Sequence, residues 1–327
     1  MPLLHSIRFA PDRFTTGIII SVVLGLLLPC TGWGAEAFGW VTEAAIFLLF
    51  FLYGAKLSRA SVLEGLLNWR LQSMVFFFTF VFFPLVIPLL RPAFEPLVGA
   101  SLYLGLLYVA CLPSTVQSSI AFTSVAAGNV PAAVCSASVS SLLGVFLTPM
   151  LVSLLFSTDA TAQADIGLDT IAKISYQILL PFFLGQFTQR WLRPWVHRHQ
   201  ELIRWNDQGT IWLVVYTSFS GATAHGYWTQ LDATHLGGLV FVCLVLLSLV
   251  HTCTYFSSKW LGFKRADCIT IVFCGSKKSL AVGAPMMMAI FGEESNNLLL
   301  PLMIFHQVQL MTCAHLAKMW KPRKATA

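Results

Sequence analysis

The chain has 327 residues, of which 57% are hydrophobic and only 10% are charged. A soluble domain of this length cannot bury so much apolar surface in one core, so we expect most of the chain to lie in lipid. The formal net charge of +6 comes from short clusters of Lys and Arg between apolar runs. This distribution favours lipid headgroups, not nucleic acid, as the partner.

Ten apolar runs, separated by turn residues and charges, predict ten membrane-spanning helices. They cover residues 14–31, 39–57, 70–90, 97–127, 130–157, 172–189, 206–224, 235–257, 266–291 and 296–319. Sixteen of the twenty Lys and Arg residues fall in the two tails and in loops 2/3, 6/7 and 8/9. By the positive-inside rule these segments are cytoplasmic. The sequence therefore predicts a multi-pass protein of the bacterial inner membrane with both termini in the cytoplasm.

The N-terminal segment allows a second interpretation. Arg8 and Arg13 precede the apolar run Ile18–Leu28, and small residues follow it, an order that is typical of a signal peptide. Pro29 before Cys30 argues against a lipoprotein, and removal of this segment would upset the predicted topology. We therefore keep it as the first span.

Neither the cysteines nor any catalytic motif indicates an enzyme. The eight cysteines form no C-x-x-C pair and mostly lie in apolar runs, which predicts small core residues rather than disulfides or a metal site. Metalloprotease, hydrolase and phosphate-loop motifs are missing from the sequence. Ser276 and Lys277 could imitate a nucleophile and its base, but neighbours in sequence seldom meet in that way. We expect neither catalysis nor a cofactor.

Spans 4 and 9 are too long and are interrupted in the middle. The first interruption begins at Pro113 and continues through polar residues to Ser119, and the second covers Gly275–Ser279 and is followed by Pro285. Each half of the predicted topology has five spans, so the two halves have opposite orientations. A matched pair of broken helices in such halves indicates an inverted repeat with a binding site near the midplane. Unwound backbone at that depth must be buried in protein or line a wet cavity.

Two adjacent lysines lie inside the second interruption. Lys277 and Lys278 occupy an otherwise uncharged stretch, where each lysine costs roughly 2.5–3.5 kcal/mol to insert into a membrane. One interpretation is structural: the break is shallow, and the amines reach water or pair with carbonyls at helix C-termini. The other is functional: an amine in a cavity attracts an anion, replaces a bound cation or exchanges a proton. Adjacent helical positions point about 100° apart, so we expect the two lysines to differ in role.

Polar side chains in other spans complete the candidate site. The serines of span 5 are typical of contacts between membrane helices, whereas His306, Gln307 and Gln309 are bulkier and can line a cavity, with His306 able to carry a proton. The candidate substrate-binding or ion-binding residues are Thr79, Gln117, Ser118, Ser119, Ser276, Lys277, Lys278, Ser279, His306, Gln307 and Gln309. Glu43 and Asp207, near the starts of spans 2 and 7, are expected at the membrane interface.

Three groups of residues make the chain similar to a known family. The segment from Leu112-Pro113 to Gly128-Asn129, the run Ser138–Pro149 and the broken span 9 resemble the bile acid:sodium symporter family. The segments Gly54–Ser58, Phe273–Leu280 and Phe305-His306-Gln307 resemble its bacterial SBF-like branch, which is related to the vertebrate seventh member of solute carrier family ten. The resemblance covers nearly the whole chain.

The resemblance implies a fold with two domains. A panel domain would comprise spans 1–2 (residues 1–69) and spans 6–7 (residues 158–232). A core domain would comprise spans 3–5 (residues 70–157) and spans 8–10 with the cytoplasmic tail (residues 233–327). The two discontinuous helices would cross in the core domain.

The sodium ligands of the bile-acid-transporting members do not carry over to this chain. The residues at those positions here are Thr79, Ser118, Ser119, Ala133, Ala137, Val272, Gly275, Ser276 and Lys277. An essential Glu of the family falls on Val272, and a coordinating Asn falls on Lys277. Hard cations prefer several oxygen ligands including carboxylates, so the sequence argues against sodium coupling and adds a cation instead. Proton coupling and direct binding of an organic anion by a lysine remain the alternatives.

The sequence therefore predicts an all-α membrane protein that moves a small, anionic organic solute by alternating access, with a proton or sodium as the further partner. The alternative is a membrane regulator of ion homeostasis, for example of calcium, that does not transport. Transport predicts a wet cavity that Gln117, Lys277 and His306 reach. A regulator predicts that these polar groups satisfy one another and that the cavity is closed.

Overall fold

The computed structural model describes residues 13–56, 68–157, 168–230, 232–292 and 298–321, and within these ranges the fold is all-helical, without a strand. This confirms the predicted all-α class. Five described helical stretches are long and apolar enough to cross a membrane: Trp33–Lys56, Trp69–Leu89, Val130–Ser157, Ala233–Trp260 and Leu299–Trp320. The total of ten spans stays a prediction, since the helices of predicted spans 1, 4, 6, 7 and 9 are not among the five.

The helices are numbered here in chain order. They are α1 (Arg13–Leu27), α2 (Trp33–Lys56), α3 (Trp69–Phe77), a π-helical segment (Phe78–Phe82), α4 (Phe83–Leu89), α5 (Arg91–Val98), α6 (Ala100–Cys111), α7 (Gln117–Val125), α8 (Val130–Ser157), α9 (Leu168–Arg198), α10 (Gln200–Ala224), a 3₁₀ turn (Tyr227–Gln230), α11 (Ala233–Trp260), α12 (Arg265–Gly275), α13 (Leu280–Phe291) and α14 (Leu299–Trp320).

Both predicted interruptions coincide with helix ends. Span 4 is divided into α6 and α7 by a non-helical segment at Leu112–Val116, and span 9 is divided into α12 and α13 at Ser276–Ser279. Pro113 causes the first break because proline has no N–H for a helical hydrogen bond and clashes with the preceding turn. The residue before it, Leu112, is accordingly extended, with φ −78° and ψ 150°.

The predicted loop 6/7 is wrong. Helix α9 continues to Arg198, and α10 begins at Gln200, so Arg190 and Arg204 lie within helices and only His199 separates the two. An apolar run ends where a helix leaves lipid, but the helix itself continues until a turn or a helix-breaking residue ends it. The apolar runs of spans 6 and 7 therefore underestimated the lengths of α9 and α10.

Helices α1, α2, α9 and α10 pack closely together, and α2 and α9 have the most extensive contact. Gly54 and Gly185 bring their backbones together: an added Cβ at Gly54 would clash with the carbonyl oxygen of Phe182, and one at Gly185 with that of Phe51. Small residues allow this approach between membrane helices. The other helices surround α6, α12 and α14 and bury a large apolar cluster.

We expect Gly54→Ala to destabilise the protein, because the added methyl group has no space between α2 and α9. Overpacking of this kind costs about 1–3 kcal/mol. Gly39→Ala on the same helix is the matched control, since nothing lies within 4 Å of its added Cβ, and an alanine there is expected to stabilise the helix by about 0.5–1 kcal/mol. Thermal unfolding of the two purified variants in detergent tests this, and equal melting temperatures would contradict the close contact.

Candidate functional site

The C-terminus of α6 presents backbone carbonyls that have no partner within the helix, because the chain breaks at Pro113. Four carbonyls at this end of the helix and just beyond it have partners from other parts of the fold. The oxygen of Cys111 accepts a hydrogen bond from Thr148 Oγ1 at 2.8 Å, and the oxygen of Pro113 accepts one from Ser279 N at 2.9 Å. The oxygens of Ala110 and Leu112 both accept from the side chain of Lys278.

The carbonyl of Thr79, in the preceding span, is the third acceptor of Lys278 and is freed by a register change. Phe83 N donates to Phe78 O instead of Thr79 O, which lengthens the helical turn into the π-helical segment. The next residue, Pro84, has no N–H to donate in its place. The oxygen of Thr79 is therefore able to accept a hydrogen bond from another part of the fold. It faces the break between α6 and α7, and it accepts from the same lysine side chain as the carbonyls there.

The ammonium of Lys278 lies between these three carbonyls. Its Nζ donates to Thr79 O at 2.7 Å, Ala110 O at 2.7 Å and Leu112 O at 2.9 Å. The group has three N–H donors, so all of them are used, and it also lies 4.3 Å from the centroid of the Phe83 ring. The side chain is fully buried, with 0% of its surface exposed. Two of these carbonyls lie at the C-terminus of α6, so Lys278 makes the contacts of the structural interpretation given for the two lysines.

The two breaks also contact each other through hydroxyl groups. Ser114 Oγ donates to Cys274 O at 2.6 Å, and Ser119 Oγ donates to Phe273 O at 3.2 Å. The backbone N–H of Ser114 donates to Ser140 Oγ at 3.0 Å, which confirms the structural role predicted for one serine of span 5. Two of the last carbonyls of α12 are thus satisfied from α7 and from the segment that precedes it.

Gln309 on α14 holds the backbone of the second break. Its Oε1 accepts from Lys278 N at 2.9 Å, and its Nε2 donates to Lys278 O at 2.7 Å. A backbone N–H only donates and a carbonyl only accepts, so the orientation of this amide is fixed. The remaining contact, 2.9 Å between Gln309 Nε2 and His306 Nδ1, therefore has the histidine nitrogen as the acceptor. His306 and Gln309 belong to the network around Lys278.

Lys277 has a different environment from Lys278. It is also fully buried, but its Nζ has no hydrogen-bond partner among the described residues. It lies 4.0 Å from the centroid of the Phe122 ring and 5.7 Å from that of Phe273. A cation over an aromatic face is stabilised, but less than one surrounded by oxygen acceptors.

The other candidates are dispersed around this centre. Ser276 Oγ donates to Val272 O one turn back in α12, and Ser279 caps α13 by accepting from Val282 N at 3.3 Å. Ser118 shares a hydrogen bond of 2.8 Å with Thr115, while Gln117 is exposed and Gln307 is half-buried. The hydroxyl of Thr79 is buried without a partner in the described chain, so Thr79 contributes its carbonyl and not its side chain.

Sequence reasoning missed several groups of this centre. The rings of Phe83 and Phe122, the hydroxyls of Ser114 and Thr115, and the backbone carbonyls were not among the candidates. Pro113 could have indicated the carbonyls, because a helix that ends inside a membrane leaves them without partners. The aromatic rings could not have been singled out, since the chain has 26 Phe residues.

A cavity of about 820 Å³ lies between α2, α10 and the end of α13, beside the connection from α1 to α2. Its walls include Thr42 and Glu43 of α2 and Tyr216, Thr217 and Ser220 of α10. The described residues that line it include none of the sequence-predicted candidates. Glu43, which is expected at the membrane interface, is exposed and contributes a carboxylate to the cavity wall. The other acid of that prediction, Asp207, is paired with Lys56 at 2.8 Å.

Buried lysines at the contact between two interrupted helices, together with apolar spanning helices, are typical of membrane transport proteins. Residues 12–322 match the model of the SBF-like CPA transporter family. The chain therefore belongs to this family and is a membrane-embedded protein.

Three relatives illustrate the range of the match. An uncharacterized protein of Pseudomonas aeruginosa is 52% identical over 98% of this chain and 96% of its own length. YfeH of Escherichia coli, provisionally named a symporter, is 47% identical over 95% of this chain and 93% of its own length. Sodium/bile acid cotransporter 7-B of Xenopus laevis is 28% identical over 93% of this chain and 90% of its own length.

We expect Lys278→Met to destabilise the protein strongly. The substitution leaves three buried carbonyls without a donor, and each unsatisfied group costs about 1–3 kcal/mol. Lys277→Met is the matched control, because it removes an ammonium without hydrogen-bond partners and should cost much less. Thermal unfolding of both variants tests the difference, and an equal loss of stability would show that the three carbonyls do not depend on Lys278.

Proposed function

We propose that the protein is a secondary active transporter that moves a small, anionic organic solute by alternating access. The observation that carries the proposal is the meeting of two interrupted helices, where Ser279 N of the second break donates to Pro113 O of the first at 2.9 Å. Interrupted helices of this kind provide the ion and substrate sites of many secondary transporters. The family and the symporter and cotransporter names of the relatives support a transport role.

The proposed architecture has ten spans in an inverted repeat, in a bacterial inner membrane, with both termini cytoplasmic. Helices α1, α2, α9 and α10 would form the panel domain, and the remaining spans the core domain. The contacts of α2 with α9 and of α1 with α10 support this division. The cavity of about 820 Å³ lies between the proposed panel helices and α13 of the proposed core, where alternating access would require space for a solute.

Coupling in this proposal does not use sodium at the crossing of the broken helices. Carbonyl oxygens at a helix C-terminus are suitable ligands for a hard cation. Lys278 supplies a positive charge to those oxygens from the chain itself, and a metal ion would have to compete with a covalently attached ammonium. The candidate serines Ser118, Ser119 and Ser276 bond within the protein and supply no carboxylate.

A non-transporting regulator of ion homeostasis is the second candidate. The observation in its favour is that Lys278, His306 and Gln309 satisfy one another and do not line the cavity. The cavity and the buried, unsatisfied amine of Lys277 favour transport instead, because a purely structural network would be expected to satisfy every buried charge.

Ligand-induced thermal stabilisation tests the proposal. Taurocholate, succinate, 2-oxoglutarate and an alkyl sulfonate are added separately to purified protein in sodium-free buffer and again in sodium buffer. A ligand at about 100 times its Kd stabilises the folded state by roughly 2.7 kcal/mol. We expect at least one anion to raise the melting temperature to the same extent in both buffers. Stabilisation that requires sodium would contradict the coupling proposal, and cations stabilising where no anion does would favour the regulator.

Glu43→Gln is expected to increase the affinity for the anion found in this way. A carboxylate in the cavity wall repels an anionic solute, and two unit charges about 4 Å apart in water interact by about 1 kcal/mol, which is roughly fivefold in Kd. Glu95→Gln is the matched control, since it also removes one negative charge but from a side chain paired with Arg91 at 2.7 Å. Equal affinities of the two variants, measured by titration of the melting temperature, would contradict the cavity as the solute route.

A further inference from the structure

Lys277 is a buried charged group to which the proposed function assigns no role in coupling. Three donors on its ammonium find no acceptor in the described part of the chain, and the nearest aromatic face is that of Phe122 at 4.0 Å. Lys278, one residue later, uses all three of its donors. The two amines therefore cannot have the same role. One has a complete set of acceptors, and the other has none.

Among the described residues, the side chains that interact electrostatically with Lys277 include no carboxylate. Its ammonium points towards Phe122 of α7 and Phe273 of α12, whereas that of Lys278 points towards α4 and α6. The titratable side chains that interact with Lys277 are Cys274 of α12, Cys313 of α14 and His251 of α11. Cys313 Sγ and His251 Nε2 are themselves 3.6 Å apart. Two thiols and an imidazole can tolerate an amine without providing a permanent counter-charge.

We propose that Lys277 is the proton-binding site of the transport cycle, while Lys278 holds the crossing together through its three hydrogen bonds. This inference rests on the proposed transport function and names the residue that carries its coupling proton. The step is the reversible addition of a proton to the amine, R–NH2 + H⁺ ⇌ R–NH3⁺, and it requires no other reactant.

Coupling follows from the difference between two conformations. An amine enclosed by Phe122 and Phe273 has no acceptor for its ammonium form, whereas the same amine in contact with water, or with a carboxylate of the solute, has several. A group that binds its proton more tightly in one conformation than in the other makes the conformational equilibrium depend on proton binding by the same free energy.

A proton is the ligand that fits this position. The residues lining the cavity of about 820 Å³ do not include Lys277. The side chain is fully enclosed, so a change of conformation is needed before it can meet an organic solute. A proton needs only transient contact with water. A proton can thus bind to Lys277 before the solute moves, or leave Lys277 afterwards.

The test measures proton binding directly and needs no solute. Proteoliposomes are adsorbed on a solid-supported membrane, and the transient charge displacement after an acid step is recorded in sodium-free buffer. Lys277→Met removes the amine, and Lys277→Arg keeps the positive charge but cannot release its proton. Lys264→Met, at the exposed start of α12, is the matched control that removes a lysine elsewhere. The melting temperature of each variant verifies that it is folded.

We expect a clear displacement in the wild type and in Lys264→Met, and a signal at least about tenfold smaller in both Lys277 variants, since neither can exchange a proton there. A wild-type signal in folded Lys277→Met or Lys277→Arg would overturn the inference, as would a wild type indistinguishable from protein-free liposomes. The two proposals fail differently. Sodium-independent anion binding with a Lys277-independent displacement refutes this inference only, whereas a Lys277-dependent displacement without any anion binding contradicts the proposed anionic solute and leaves Lys277 as a proton-binding residue.

Discussion

The arrangement of the two interrupted helices depends on three backbone carbonyls that share one ammonium. A helix that ends inside a membrane protein leaves polar groups that neither lipid nor water can satisfy. Thr79, Ala110 and Leu112 expose such carbonyls on two different spans, and Lys278 on a third satisfies all of them. The cost of burying the ammonium and the cost of leaving the carbonyls unpaired are both avoided by the same contact. Removing either side therefore leaves the other without a partner.

The backbone at Lys278 has to be fixed for its side chain to reach that position. Gln309 accepts from its N–H and donates to its carbonyl, and the same amide also contacts His306. On the opposite side, Ser279 N donates to Pro113 O, so the second break is attached directly to the first. These contacts join α6, α12, α13 and α14 into one unit. Movement of any of these helices relative to the others would break several buried hydrogen bonds, which favours motion of the unit as a whole.

The sequence was sufficient for the positions of the breaks but not for their chemistry. Pro113 and the polar run at Gly275–Ser279 identified both interruptions, because helix-breaking residues act locally. The role of Thr79 was not accessible in this way, since its carbonyl is freed by a register change that involves Phe83 and Pro84 together. The different surroundings of Lys277 and Lys278 come from residues of α4, α6 and α7, which are distant in sequence, so the sequence could not predict them. Charge patterning also misled the prediction of loop 6/7, because arginines continue the helices α9 and α10 beyond the apolar run.

Helix α13 is the physical connection between the charged centre and the cavity. It begins at Leu280, with only Ser279 between it and the two lysines, Tyr108 of α6 donates to its Gly283 carbonyl at 2.7 Å, and its last residues form part of the cavity wall. A helix that is packed at both ends can transmit a displacement from one end to the other. A change in the charge of Lys277 would alter the forces at the start of α13, and a solute in the cavity would contact its end. In the proposed transport cycle, the proton and the solute need not meet in one pocket to be coupled, provided that both favour the same position of this helix.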